Sequence, residues 1–290
     1  MRIVICAALI SVACGKKPAE PAPKKSEDGF ELVSAGAEPR VQLRYRPVVG
    51  AASAVEMSMN FDLETGGTKN QMPTLVLDLE LAVVSVAADG SATIRTTIKR
   101  ASARDRVAGS ALSAATMNQA LALVDNIKMT STLSPRGHQK DSKVENPKQG
   151  IAPQLMQQIA MMTQGLEQLA MPMPEQAVGV GAKWKATRPL AQNGVDMTST
   201  TTIEITAIEG DKVSFASTTN LTGPDQTLKE ANQSVKLEKV GGSGGGTGSV
   251  DLARLAMAGD LKAEFKATAT SDGKTGPLGF AMTIQVKPAP

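Results

Sequence analysis

In the stretch EMSMNFDLE, residues 56–64, every second residue is apolar: Met57, Met59, Phe61 and Leu63. The same period of two runs through TLVLDLELAVVSV (Leu75, Leu77, Leu79, Leu81, Val83), LKAEFKATAT (Leu261, Ala263, Phe265, Ala267, Ala269) and FAMTIQV (Phe280, Met282, Ile284, Val286). Successive side chains of a strand point to opposite faces, so this pattern predicts strands with one buried and one wet face. That pattern favours antiparallel sheet, because parallel strands are buried on both faces. Residues 41–46, 93–100, 128–133, 197–208, 212–219 and 234–240 are further strand candidates. Asp89-Gly90, Gly210-Asp211 and Asp272-Gly273 sit between alternating runs, where a tight hairpin turn needs a residue tolerant of positive φ. SVAADGSATI and TAIEGDKVSF share a strand–turn–strand pattern and suggest two related β units.

Two segments carry helical spacing instead. Within residues 110–127, Met117, Leu121 and Val124 fall four and three apart, and Ser110 or Ser113 is positioned to cap the start. Within residues 153–170, Leu155, Ile159, Met162, Leu166 and Leu169 make a continuous stripe opposite a glutamine-rich face. Pro153 suits a first turn, and Pro172 and Pro174 end the segment. The expected fold is mainly β (α+β): an antiparallel curved sheet, or a two-sheet sandwich or half-barrel, with two covering helices. Residues 41–290 form the β-rich body, its two units joined by the helices.

The chain has seven aromatic residues (one Trp, one Tyr, five Phe) and a net charge of +3. So few rings and so little positive charge argue against nucleic-acid partners, which need stacking surfaces and cations. The core must be built from aliphatic residues and fourteen Met. GGSGGGTGS, residues 241–249, lacks the Gly-Lys-Ser/Thr ending of a phosphate loop and reads as a flexible connection. His138, the one histidine, lies in turn composition beside Pro135 and Gly137 and reads as a surface-loop residue. A zinc site wants several His or Cys ligands, so no metal and no cofactor is expected. The methionines around residues 156–173 read as packing rather than as a copper site. Trp184 reads as a plug at one end of the core. Asp62, Asp78, Glu80 and Glu204 fall on wet strand faces, and no pair among them stands out as an acid–base couple. The chain is therefore not expected to be an enzyme.

The N-terminus speaks to location. Residues 3–13 are an apolar run after Met1-Arg2, well short of the ~20 residues that span a bilayer. It suits a signal peptide, residues 1–13. Ser11-Val12-Ala13-Cys14 resembles the lipobox of bacterial lipoproteins. The resemblance implies that Cys14 is acylated, palmitate included, and becomes the new N-terminus. Cys6 leaves with the signal, so Cys14 has no cysteine to pair with. Residues 14–40 then read as the acylated cysteine plus a disordered tether rich in Pro, Lys and Ala. The implied location is the cell envelope of an exported protein, held to the membrane by its anchor. The outer membrane or another periplasm-facing surface is the expected place, and Gly15 fits outer-membrane sorting. The whole pattern resembles many β-rich envelope lipoproteins. It is also similar in architecture to lipoprotein carriers whose curved antiparallel half-barrel is covered by helices.

Two functions follow as expectations. One is a non-catalytic structural or interaction lipoprotein of the envelope, with protein partners the sequence does not identify. The alternative is a carrier or binding module for a lipid or other apolar ligand, held between sheet and helices by Met156, Ile159, Met162, Leu166 and Leu169.

Overall fold

The computed structural model describes residues 29–107, 113–145, 170–192, 194–230 and 233–289. In chain order the strands are β1 (Phe30–Ser34), β2 (Ala52–Thr65), β3 (Thr68–Gln71), β4 (Thr74–Val86) and β5 (Ala92–Arg104). Helix α1 (Ala114–Leu121) follows, then β6 (Lys128–Leu133), β7 (Gln139–Glu145), β8 (Lys183–Gln192) and β9 (Val195–Glu209). Next come β10 (Lys212–Thr222), β11 (Gln226–Glu230), β12 (Gln233–Asp251), β13 (Met257–Ser271) and β14 (Lys274–Pro288). All belong to one antiparallel sheet, ordered β1-β8-β9-β10-β12-β13-β14-β2-β4-β5-β6-β7, with β11 on β12 and β3 on β2. The alternation thus produced one sheet rather than a two-sheet sandwich. β14 pairs with β2 from Leu278↔Thr65 to Pro288↔Val55, which joins the last strand to an early one and makes the sheet continuous.

The sheet curls until its two halves meet. Trp184, Ile203, Ile205, Val213 and Val250, from β8, β9, β10 and β12, pack in one cluster with Val83, Ile94 and Leu133 from β4, β5 and β6. Strands so far apart in the order can touch only if that face is concave. A second cluster holds Met57, Leu77, Leu79, Ile98, Met129, Ile284 and Val286. A third, of Val195, Met197, Leu237, Val240 and Ala267, closes the far end of the C-terminal half. The edges draw together at one point, where Phe30 of β1 stacks on His138 beside β7 with ring centroids 5.6 Å apart.

The turns form where glycine chemistry allows. Gly90 (φ 82°) lies between β4 and β5, and Gly210 (φ 63°) between β9 and β10. Asp272 (φ 51°) and Gly273 (φ 74°) between β13 and β14 are both left-handed, as the favoured two-residue hairpin turn requires.

Several expectations are corrected. Among the described residues there is one α-helix, not two covering helices, and it is shorter than residues 110–127. Ser113 caps α1 by accepting from the Thr116 N–H at 3.2 Å. The helix gives way to a 3-10 turn at Ala122–Val124. It ends there because β5 recaptures the chain: Ile98 N–H donates to Ile127 O, and Asp125 accepts from Ala101 N–H at 2.8 Å. Residues 153–170, apart from Ala170, lie outside the described residues.

The tether does not run to residue 40. Phe30 is buried, and β1 pairs with β8 through Phe30↔Ala186 and Leu32↔Trp184, so residues 30–34 already belong to the body. Residues 41–46 make only a single bridge, Val41↔Val178, rather than a strand. His138 lies in the loop between β6 and β7, half-buried against Phe30. The run GGSGGGTGS is the middle of β12, not a flexible connection.

Candidate functional site

The register of the sheet defines the concave face row by row. One row reads Arg188, Ser199, Leu221, Gly242, Phe265, Phe280, Leu63 across β8, β9, β10, β12, β13, β14 and β2. The next reads Ala186, Thr201, Thr219, Gly244, Ala263, Met282, Phe61, and the third Trp184, Ile203, Ser217, Gly246, Leu261, Ile284, Met59. In the third row Trp184, Ile203, Ile284 and Met59 are buried. In the first two, Phe61, Ala263, Phe265, Phe280 and Met282 are only half-buried, and Leu63 is 40% exposed. The face therefore passes from a closed core to an open, partly apolar trough within two residues of each strand.

Gly242, Gly244 and Gly246 form the floor of that trough. A Cβ at Gly242 or Gly246 would overlap the carbonyl oxygen of Glu264 or Asp260 on β13, and one at Gly244 would meet Lys262 O at 2.8 Å. Glycine here lets neighbouring backbones approach, and it leaves the concave face without side chains where the sheet bends.

Arg188 shares the inner face of β8 with Trp184 and Ala186. It is half-buried, and burial holds its guanidinium below the usual arginine value; among the described residues no acidic group pairs with it. Hydroxyls stand beside it: Ser199 is its partner on β9, and Thr201 and Thr219 lie one row on, their Oγ1 atoms 2.9 Å apart.

Nearer the closed end lies an apolar cavity of ≈ 70 Å³, lined by Tyr45, Met57, Leu79, Ile94, Leu133 and Met257 among others. It is about half the ~150 Å³ that holds one benzene ring in an engineered core, too small for an acyl chain. A strap, residues 170–178, crosses this end. Tyr45 Oη accepts from Met171 N–H at 3.0 Å, Trp184 Nε1 donates to Pro172 O at 3.0 Å, and Met173 N–H donates to Arg136 O at 2.9 Å. Trp184 is fully buried, in the plugging position its sequence context suggests.

Cys14, Met156, Ile159, Met162, Leu166 and Leu169 all lie outside the described residues. The acidic residues of the wet faces are separately paired. Asp62 meets Arg106 at 2.6 Å, Asp78 meets Arg100 at 2.9 Å, and Glu80 and Glu204 meet Lys99 and Lys183 at 3.0 Å each. Sequence reasoning passed over Arg188 and misread the glycine row. The signal for Arg188 was its place four residues after Trp184, on the same face of one strand.

Fold and trough together define a curled antiparallel β protein with a half-open concave face. Residues 117–276, from within α1 to the start of β14, match the family described as "Family of unknown function (DUF6263)". The match takes in more than half of the chain, and the protein belongs to that family. No curated protein matches it.

Proposed function

We propose that this is a non-catalytic, exported protein, anchored to the cell envelope through an acylated Cys14, whose concave sheet face takes up an apolar ligand. The observation that carries the ligand is the half-buried Phe61, Phe265, Phe280 and Met282, in two adjacent rows beside a floor of glycines. Interiors normally close-pack, and apolar side chains left half-open on a concave surface are what a ligand covers. Anchoring rests on the lipobox-like Ser11–Cys14 and the apolar run before it.

A second reading is a structural or interaction protein with a filled core. Its support is the three packed clusters and the small size of the cavity between the halves.

Protein purified from membranes, extracted with organic solvent and examined by mass spectrometry, separates the two. The ligand reading expects an apolar molecule at near one per chain, beyond the acyl groups on the N-terminal cysteine. A ligand-free protein overturns it in favour of the filled-core reading. Cys14→Ser is expected to give an uncleaved precursor or a soluble product. An unchanged membrane fraction and an unchanged mature mass would remove the anchor.

A further inference from the structure

We propose that the trough is a site for a single-chain anionic amphiphile, its carboxylate on Arg188 and the neighbouring hydroxyls and its acyl chain across the glycine floor to Phe265 and Phe280. The inference rests on the apolar-ligand reading and adds the charge and direction of the ligand.

The first observation is an arginine on the inner face of a sheet. Cations are rarely taken out of water unless paired, because lost hydration must be replaced. Arg188 is half-buried, stands between Ala186 and Leu190 on one face of β8 and opposite Ser199 on β9, and among the described residues no carboxylate pairs with it. A guanidinium presents a planar fork of donors matched to a carboxylate, which an ammonium is not. Ser199, Thr201 and Thr219 supply hydroxyls on the same side.

The second observation is what the row does on leaving Arg188. It crosses Ser199 and Leu221, reaches bare backbone at Gly242, and ends on Phe265, Phe280 and Leu63. Phe61 and Phe280 lie 5.7 Å apart and form an aromatic end wall. From β8 to β13 is four steps of ~4.8 Å, or roughly 19 Å, of the order of an extended acyl chain. Polar at one end, bare backbone at the β12 glycines and apolar at the other end, the trough has the polarity of an amphiphile laid along it. A neutral lipid would bring Arg188 no counter-charge, and a cationic one would be repelled.

The test is titration calorimetry of the full chain with dodecanoate, dodecyltrimethylammonium and dodecyl maltoside, each below its micellar concentration. Dodecanoate is expected to bind at one site at least tenfold tighter than the cation. Arg188→Gln is expected to erase that preference with little change in Tm, and Arg188→Lys to restore part of it. Ala263→Trp, which places an indole over the floor from a half-exposed position, is expected to weaken all three ligands whatever their charge. If all three bind wild type alike and Arg188→Gln changes nothing, the anionic site is overturned while the apolar-ligand reading stands. If none binds, both fall.

Discussion

Tyr45, the one tyrosine of the chain, joins the segment before β2 to the strap that crosses the closed end. Its ring is 4% exposed, and its hydroxyl accepts from the Met171 N–H. Removing the hydroxyl leaves a buried N–H without its acceptor, a loss of about 1–3 kcal/mol. Tyr45→Phe should lower the denaturation midpoint accordingly, and a change within error would show that water replaces the hydroxyl. Burial also pushes the Tyr45 phenol well above its ordinary value. A raised pKa means that the folded chain holds its proton where the unfolded chain has lost it. The associated stability is full below the unfolded value near ~10 and declines as pH rises beyond it. Wild type should therefore lose stability above about pH 10 more steeply than Tyr45→Phe. Parallel alkaline denaturation curves would contradict this.

β12 shows what the element scale adds to the residue scale. Read as a string, GGSGGGTGS has the composition of a linker. In the sheet it pairs residue by residue with β10 and β13, from Lys212↔Asp251 to Thr222↔Gly241 on one side and from Gly241↔Lys266 to Val250↔Met257 on the other. Past the register shift between Glu238 and Gly241, its even positions face the trough, while Ser243 and Thr247 on the other face are exposed. Substituting the two parities should therefore have opposite consequences. Gly246→Val drives a Cβ into the Asp260 carbonyl and should cost well above the ~1 kcal/mol typical of a point change, or prevent folding. Thr247→Val, on the exposed face, should leave stability within about 0.5 kcal/mol. Equal tolerance at both positions, measured by thermal melting, would show that β12 is not held in this register. Helix α1 makes the complementary point. Its sequence pattern runs longer than the helix itself, because Asn118 bonds both N–H and C=O of Ala103, and β5 claims the residues that follow the 3-10 turn.

At the scale of the molecule, the β14–β2 seam decides how the protein unfolds. The similar hairpins at Asp89-Gly90 and Gly210-Asp211 lie in opposite halves of the sheet, so the chain could be taken for two units. Yet eleven residue pairs from Leu278↔Thr65 to Pro288↔Val55 join those halves, and one core cluster contains side chains from both. The shared cluster leaves part of each inner face bare if the halves separate, so unfolding should be one cooperative transition. Trp184, the sole tryptophan, reports on the C-terminal half, and far-ultraviolet circular dichroism reports on all strands. The two denaturation curves should coincide. Separated midpoints would show that the halves fold independently.

What was legible in the sequence was what depends on near neighbours. Alternation at Met57-Met59-Phe61 determines that β2 is a strand with one apolar face. Asp272-Gly273 determines a hairpin, because both residues tolerate positive φ. Lys128–Leu133 is a strand with the bounds its pattern suggests. Strand order, by contrast, depends on pairings between residues far apart, and no local periodicity encodes that β14 meets β2 or that β1 pairs with β8. The glycine run could not be read correctly for the same reason. Glycine lowers the preference for a strand, and only the close approach of the β13 carbonyls makes it the residue that fits. The trough is the furthest from the sequence of all. Its residues come from seven strands, and Arg188 stands with Phe280 only because a continuous register carries one face of the sheet across them. Local chemistry determined the elements and their wet and dry faces; the curl of the sheet, which sets how far the dry face closes, was decided by tertiary packing.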